Sequence, residues 1–469
     1  MIGKALSRLK RLGRRLSGRG RLRDRRGNVA IIAALCMIPL MLSVGMGIDY
    51  TLQKRSQDQL AGIADAAVLV AVTPTMMAET KAQAQTAAQN FWNAQSATVS
   101  NVAGVTGTVT VTEPASASGT AITRTATITW TGTSANNFAG LTGLPTSPLK
   151  GSSSAVSSRA PVVNFYLMVD TSPSMGIVTT DSVAAMMKAT KSYEDSPNGC
   201  AFACHQSDPS GDGLSQDLYS VARSLGLNLR IDLVNYAVSN LMSTAASVAT
   251  TNKTTYGVSV STIDYKVGNI YQTSNITTNL AAAQKAVGTI QQLEVYKNNC
   301  LTSSQCSLTN NGDDQLSNLD LGLSTLDTLN SATYTSTNGP GYKMYTPGTG
   351  TTNAGDTPQE VLFIISDGMD DFYSSGSRTI VPINSVKDYC STIKAQGIRI
   401  AFLDLYYASL PTDPWYVSAG IETPRSEIAA AAQACASPGL YQLVTSDADI
   451  SAELTSLFQK VVATARLTQ

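Results

Sequence analysis

The sequence predicts an α/β chain, a doubly wound parallel sheet over residues 160–469 preceded by a long N-terminal transmembrane helix and a small α+β module. Three observations carry that expectation. Val29 to Ile48 run without a charged residue directly behind a basic block; Val162–Val169, Val361–Ile365 and Ile398–Leu405 are apolar runs of the kind found in strands buried on both faces; and helix-like and strand-like periods alternate from Arg230 onward.

Residues 1–27 carry eleven Lys or Arg and one acid, Asp24. The 469-residue chain has zero formal charge, so this block at +10 leaves −10 on the remainder. The twenty residues of 29–48 just span a hydrocarbon core, and the basic flank places the amino terminus in the cytoplasm and everything after Asp49 outside. A cleaved signal peptide is the alternative, but the apolar stretch is long for one and has no small-x-small cleavage site before Asp49. The mildly acidic exported part excludes nucleic acid as a partner held by bulk charge.

Tyr50–Val72 continues helically, with Leu52, Leu60, Ile63, Ala67 and Val70 near one face, until Pro74. Membrane and exported halves together make a helix of roughly 60 Å, with Pro39 a candidate kink. Residues 49–158 complete this region: a helix over Thr80–Gln95, strands over Thr108–Thr112 and Ile122–Thr131, and Gly/Ser-rich breaks at Ala115–Gly119 and Gly151–Ser154.

In the larger domain, residues 177–229 read as an insertion that delays a helix to Arg230, Ile231, Val234, Ala237, Val238 and Leu241. Strands follow over Tyr256–Val267, helices over Asn279–Leu293 and Asp320–Leu329, a strand at Val361–Ile365, a helix over Val386–Gln396 and a strand over Ile398–Leu405. Asn330–Asp356, crowded with Thr, Gly and Pro, reads as a surface loop.

Three segments carry candidate chemistry. The first apolar strand ends in Asp170, Thr171, Ser172, Pro173, Ser174; Ser317 precedes a helix starting near Asp320; and Val361–Ile365 runs into Ser366, Asp367, Gly368. Loops at the carboxyl ends of parallel strands converge, so these oxygens can surround one cation. With one histidine, His205, in the chain, zinc chemistry lacks ligands, whereas an oxygen-only set suits Mg²⁺, with Mn²⁺ and Ca²⁺ as alternatives. Turn-closing Asp and Ser side chains are the bland alternative.

Seven cysteines divide into Cys36, inside the span, and six exported ones: Cys200, Cys204, Cys300, Cys306, Cys390 and Cys435. Six can pair completely, as an oxidising compartment allows. Short spacing favours Cys200 with Cys204 and Cys300 with Cys306, leaving Cys390 with Cys435; cross-pairing of the first four stays open. Cys200–Cys204 followed by His205 has three residues between the cysteines rather than the two of a c-type haem motif, so His205 reads as a loop residue.

The pattern Asp170-x-Ser172-x-Ser174 with Asp367-Gly368 resembles the metal-ion-dependent adhesion site (MIDAS) of von Willebrand factor A domains, over residues 160–469, with Ser317 where that family carries Thr. The resemblance implies that Ser172, Ser174 and Ser317 ligate Mg²⁺ directly, that Asp170 and Asp367 act through water, and that a partner's carboxylate fills the open position. The segment from Arg25 to Ile32, then Gly47–Tyr50, then Ala61–Ala67 with Asp65, resembles the TadE/TadG group of tight-adherence (Flp) pilus-assembly proteins; with the carboxyl-terminal domain it points to a TadG-like, pilin-like-stalk layout. Related pilins are cut after the Gly matching Gly27 and carry Glu five residues on, where Ile32 stands here. That departure implies an assembly factor rather than a polymerising subunit.

The expectation is a non-enzymatic, single-pass inner-membrane protein with its bulk in the periplasm or at the cell surface. Its partners would be pilus or secretion-machinery proteins carrying an acidic residue, with the long helix available for oligomerisation. The alternatives are a structural tether with a vestigial metal site and a metal-dependent hydrolase. The hydrolase lacks a His-based triad and a paired-Asp cluster beyond the two loops.

Overall fold

The computed structural model describes residues 25–114, 122–177, 205–212, 215–271, 276–297, 301–304, 317–327, 346–374, 377–407, 414–445 and 449–464, with residues 344 and 409. The basic residues 1–24, the break at Ala115–Gly119, most of the 177–229 insertion, and Cys200, Cys204, Cys300 and Cys306 lie outside them. By contact density the chain forms two units: residues 1–72 with 84–111 and 125–155, and residues 73–83 with 112–124 and 156–469.

In the first unit, α1 (Arg25–Ala71) is one continuous helix containing Pro39. Val29, Ile31, Ile32, Leu35, Ile38, Leu40, Met41 and Val44 are all exposed, as a helix solvated by lipid requires. It is a helix long and apolar enough to cross a membrane. Beyond residue 50 a buried stripe appears at Leu60, Ala64, Ala67, Val68 and Ala71, and the side-chain amides of Gln53 and Gln57 donate to the carbonyls of Pro148 and Lys150.

After a short α2 (Pro74–Ala78), α3 (Lys81–Ser96) buries Ala84, Ala88, Trp92 and Ser96 at a spacing of four. The sheet of this region has the order β1 (Val102–Thr112), β2 (Ile122–Ala135), β3 (Thr146–Arg159). Strand β3 corrects the sequence reading, which made Gly151–Ser154 a break. Gly151 is there because Trp130 lies against it: an added Cβ would come within 2.6 Å of the indole. Gly107 makes the same room for Trp92, and the two indoles lie 6.1 Å apart. Each glycine gap in the pleat is thus covered by a tryptophan on its face.

The second unit holds a six-stranded sheet of order β11-β10-β7-β4-β5-β6. Its strands are β4 (Val163–Asp170), β5 (Tyr256–Ile263), β6 (Val267–Tyr271), β7 (Gln359–Ser366), β10 (Arg399–Leu405) and β11 (Tyr441–Val444). Five are parallel, as expected, and β6 pairs antiparallel with β5 through the tight turn at residues 264–266. A separate ribbon pairs β8 (Met369–Ser374) with β9 (Ser377–Pro382).

Central strand β4 is buried at every position. Phe165, Leu167 and Val169 face one core with α5 (Arg230–Asn252), while Tyr166 and Met168 face the other. The first core also takes residues from α4 (Leu218–Ser224), α6 (Leu280–Val287) and α11 (Ile450–Thr464); the second takes them from α7 (Leu319–Asp327), α8 (Tyr389–Ala395) and α10 (Glu422–Cys435). With both faces covered, the sheet is doubly wound.

Two helices are shorter than their periodicity suggests. Helix α6 ends at Val287, after which residues 288–297 leave to pack beside the loop that follows β4, with Leu293 N–H donating to Thr171. Helix α8 starts only at Tyr389, because Asp388 caps it through Ser391 N–H. The described part of 330–356 is a surface loop as expected, held by Asp356, which accepts from the backbone N–H groups of Thr349 and Thr351 and ties residues 349–356 into a closed turn. A disulfide joins Cys390 to Cys435, α8 to α10, within the second core.

Candidate metal centre

Asp170 is the last residue of β4, and the chain turns at once into a short 3₁₀ segment, Pro173–Gly176. The turn is held by Asp170 itself, whose Oδ1 accepts from Ser172 N–H at 2.9 Å. Its Oδ2 accepts from Ser366 Oγ of the neighbouring strand β7 at 2.6 Å. Asp170, Ser172, Ser366 and Asp367 are all fully buried. Ser172 Oγ and Ser174 Oγ are hydrogen-bonded to each other at 3.0 Å.

That separation tests the donor set against a metal. Adjacent ligands about 2.05 Å from an octahedral Mg²⁺ lie about 2.9 Å from each other. The two hydroxyls therefore already have the spacing of neighbouring corners, with two carboxylates behind them. Among the described residues no three His, Cys, Asp or Glu side chains gather into a metal cluster, so a cation here must take hydroxyl oxygens. The residues present fit a hard divalent ion and give no soft or nitrogen donor.

Burial, and then the negative charge of Asp367, push the Asp170 carboxyl up to about 7. Burial also raises Asp367, against the opposing pull of Arg230. Arg230, at the first turn of α5, donates from NH1 to Asp367 Oδ2 at 3.0 Å and from NH2 to the Tyr406 carbonyl at 2.8 Å. Sequence reasoning missed this residue. Its signal was present, since a cation at a helix amino terminus opposes the helix dipole and calls for a nearby acid.

Asp404, at the end of β10 beside Ser366, was missed as well. Its Oδ2 accepts from Tyr441 OH at 2.8 Å, its Oδ1 has no partner among the described residues, and burial raises it to about 6. The carboxyl edge of the sheet thus carries acids on or just after three adjacent strands, at Asp170, Asp367 and Asp404. The visible sequence signal was an acid inside the otherwise apolar run Ile400–Leu405.

Ser317 precedes its helix as expected, but it is not the cap. The cap of α7 is Asn318, whose Oδ1 accepts from Leu321 N–H at 2.8 Å. Ser317 lies one residue earlier, bridged to Asp371, with its hydroxyl donating to the Met369 carbonyl at 2.7 Å. A lone pair remains for a cation, but the proton is committed. Asp370, fully buried on β8, accepts from the N–H groups of Leu319 and Asp320; burial and the Asp320 charge push it well up.

His205 lies in a loop, as expected, but its ring is held. It stacks on Tyr219 with centroids 4.2 Å apart, its Nδ1 lies 3.0 Å from Asp217 Oδ2, and Arg223 covers the Tyr219 ring at 3.8 Å. The ring is fixed by a carboxylate and an aromatic neighbour, which loop composition could not reveal.

Among solved structures, the PilB minor pilin from Streptococcus sanguinis is similar at 11% identity, over 76% of this chain and 78% of that one, with a TM-score of 0.29. Conserved hypothetical protein BatB from Bacteroides thetaiotaomicron is similar at 11% identity over 64% and 99%, TM-score 0.27, and the ArnB paralog VWA2 from Sulfolobus acidocaldarius at 10% over 76% and 55%, TM-score 0.24. Scores at this level carry no argument, and the fold assignment above rests on strand order and helix placement. No curated protein matches the chain. Residues 27–74, the apolar half of α1 and its continuation, match the family described as "Putative Flp pilus-assembly TadE/G-like", to which this segment of the chain is therefore similar.

Proposed function

We propose that this chain is a membrane-anchored, non-enzymatic factor of Flp pilus assembly or adhesion. Its exported α/β domain binds a protein partner through a divalent cation at the carboxyl edge of the sheet. The observation that carries the reading is the Ser172–Ser174 hydroxyl pair at 3.0 Å over buried Asp170 and Asp367. Mg²⁺ is the expected ion, with Mn²⁺ and Ca²⁺ as substitutes; Ser172 and Ser174 would ligate it directly, Ser317 through its remaining lone pair, and Asp170 and Asp367 from behind. An acidic side chain of a pilus or secretion-machinery protein would complete the coordination. The inner membrane is the expected location, with the amino terminus in the cytoplasm and the domain in the periplasm or at the surface.

Arg230 favours a second reading, a structural tether in which a guanidinium has taken over the neutralisation of Asp367. Calorimetric titration of the full chain in detergent with Mn²⁺, wild type against Asp170→Ala, separates the two. Saturable binding abolished by the substitution supports the adhesion site. A folded wild type that takes up no Mn²⁺ leaves the tether.

A further inference from the structure

The loop between β2 and β3 is built onto the outer end of the membrane span. Asp49, the first charged residue after the apolar run, is only 3% exposed, because its carboxylate accepts from three successive backbone N–H groups: Asn137 at 2.9 Å, Phe138 at 2.8 Å and Ala139 at 2.7 Å. Four residues earlier on the same helix, Gly45 receives the Phe138 ring so closely that an added Cβ would lie 2.3 Å from Phe138 Cγ. Gly45 sits inside the uncharged run, about 4.5 Å short of Ile48 along the helix axis. A residue packed on Gly45 is therefore at membrane depth.

The rest of the loop has the chemistry for that position. A 3₁₀ turn, Ala139–Thr142, closes through Gly143 in the left-handed region at φ 93°, with Leu144 N–H donating to the Ala139 carbonyl. The turn presents apolar side chains outward: Phe138 is 37% exposed, Leu141 78% and Leu144 62%. No charged residue occurs between Arg124 and Lys150. Tyr50, 60% exposed on the adjoining helix turn, is the amphipathic ring expected at a headgroup boundary. In water three exposed apolar side chains on one short turn would be a liability; beside a lipid-solvated helix they continue its surface.

We propose that residues 137–144 form a membrane-inserting foot, with Leu141 and Leu144 seated in the outer interfacial layer of the bilayer that α1 crosses. The occupant is lipid, and Asp49 locks the foot to the helix at the depth of Gly45. Anchor and module then contact the membrane at two points, which limits tilting and rotation of the exported part about the helix axis. The inference rests on the first unit alone and is independent of the metal site.

Brominated-lipid quenching of the full chain in phosphatidylcholine/phosphatidylglycerol vesicles tests it. Leu141→Trp adds a fluorophore at the exposed tip, and the wild type supplies the background of the native tryptophans. Leu69→Trp is the control, being 57% exposed on the same helix about 36 Å beyond Gly45. The added Leu141→Trp emission should fall at least twofold when acyl chains brominated near the headgroup replace plain ones, and the Leu69→Trp emission should not change. Leu144→Trp should repeat the Leu141→Trp result. Added emission insensitive to bromolipid but quenched by acrylamide would put the loop in water and overturn the proposal. Insensitivity to both would mean that protein covers the turn, and equal quenching at Leu69 would mean that the whole module lies on the membrane; either also overturns it.

Discussion

Acidification below neutrality should release a divalent cation from the Asp170 loop. Burial and the adjacent Asp367 charge hold the Asp170 carboxyl up to about 7, and only its ionised form faces a cation favourably. About nine-tenths of the sites are then ionised at pH 8 and about one-tenth at pH 6, so apparent metal affinity should fall about tenfold between them. Binding should release about 0.9 proton per ion at pH 6 and about 0.1 at pH 8. Titration calorimetry with Mn²⁺ in two buffers of different ionisation enthalpy reads both quantities. Without metal the sign reverses. A folded pKa above the unfolded value of about 3.9 gives stability that is complete below pH 4 and is lost as pH rises through 7, roughly 4 kcal/mol for Asp170 alone. Glu360, raised to about 8 by burial, and Asp404, raised to about 6, add in the same direction. The apo domain should thus resist urea better at pH 5 than at pH 8 while metal binding behaves oppositely. Equal Mn²⁺ affinity at pH 6 and pH 8 with no proton release would refute the reasoning.

Three further outcomes are expected. Arg230→Met strands the buried Asp367 carboxylate and should cost about 3–5 kcal/mol in urea-dependent pulse proteolysis; a loss below about 1 kcal/mol would show that the pair contributes little. Cys390→Ala with Cys435→Ala opens a covalent loop closed across 45 positions and should cost about 4 kcal/mol on the chain-entropy account, with an unchanged urea midpoint as the contrary result. If residues beyond Asp49 face outward, as proposed, alkaline phosphatase fused after Gln469 should be active in cells; activity confined to a cytoplasmic reporter at the same junction would invert the topology.

The parts of the fold legible in the sequence were those in which one residue's environment repeats. Strands β4, β7 and β10 are buried on both faces, so nearly every position is apolar and the run announces itself. Helix α5 was found because Ile231, Val234, Val238 and Leu241 repeat on one face. Strand β3 was not, since its Ser/Gly composition has meaning only when Trp130 is known to lie on Gly151. The same distinction holds at the candidate site. Asp170, Ser172, Ser174, Ser366 and Asp367 lie in local motifs, whereas Arg230 and Asp404 reach the same edge from separate elements and are joined only by folding. Ser317 was placed at the right helix but one residue out of role, because Asn318 caps equally well and only backbone direction distinguishes them.

The position of β4 in the sheet has a mechanical consequence. The chain enters the central strand at Val163, and the candidate site begins where that same strand stops, at Asp170. Seven to eight residues of β4 are in parallel register with β5 on one side and β7 on the other. If a partner binds at that edge, a pull between it and the preceding chain would run along the covalent backbone of this one strand, with the ladders on either side bracing it rather than carrying the load. The helices and outer strands lie off that line. A domain wired this way would carry tension on a bound partner while its periphery stays unloaded.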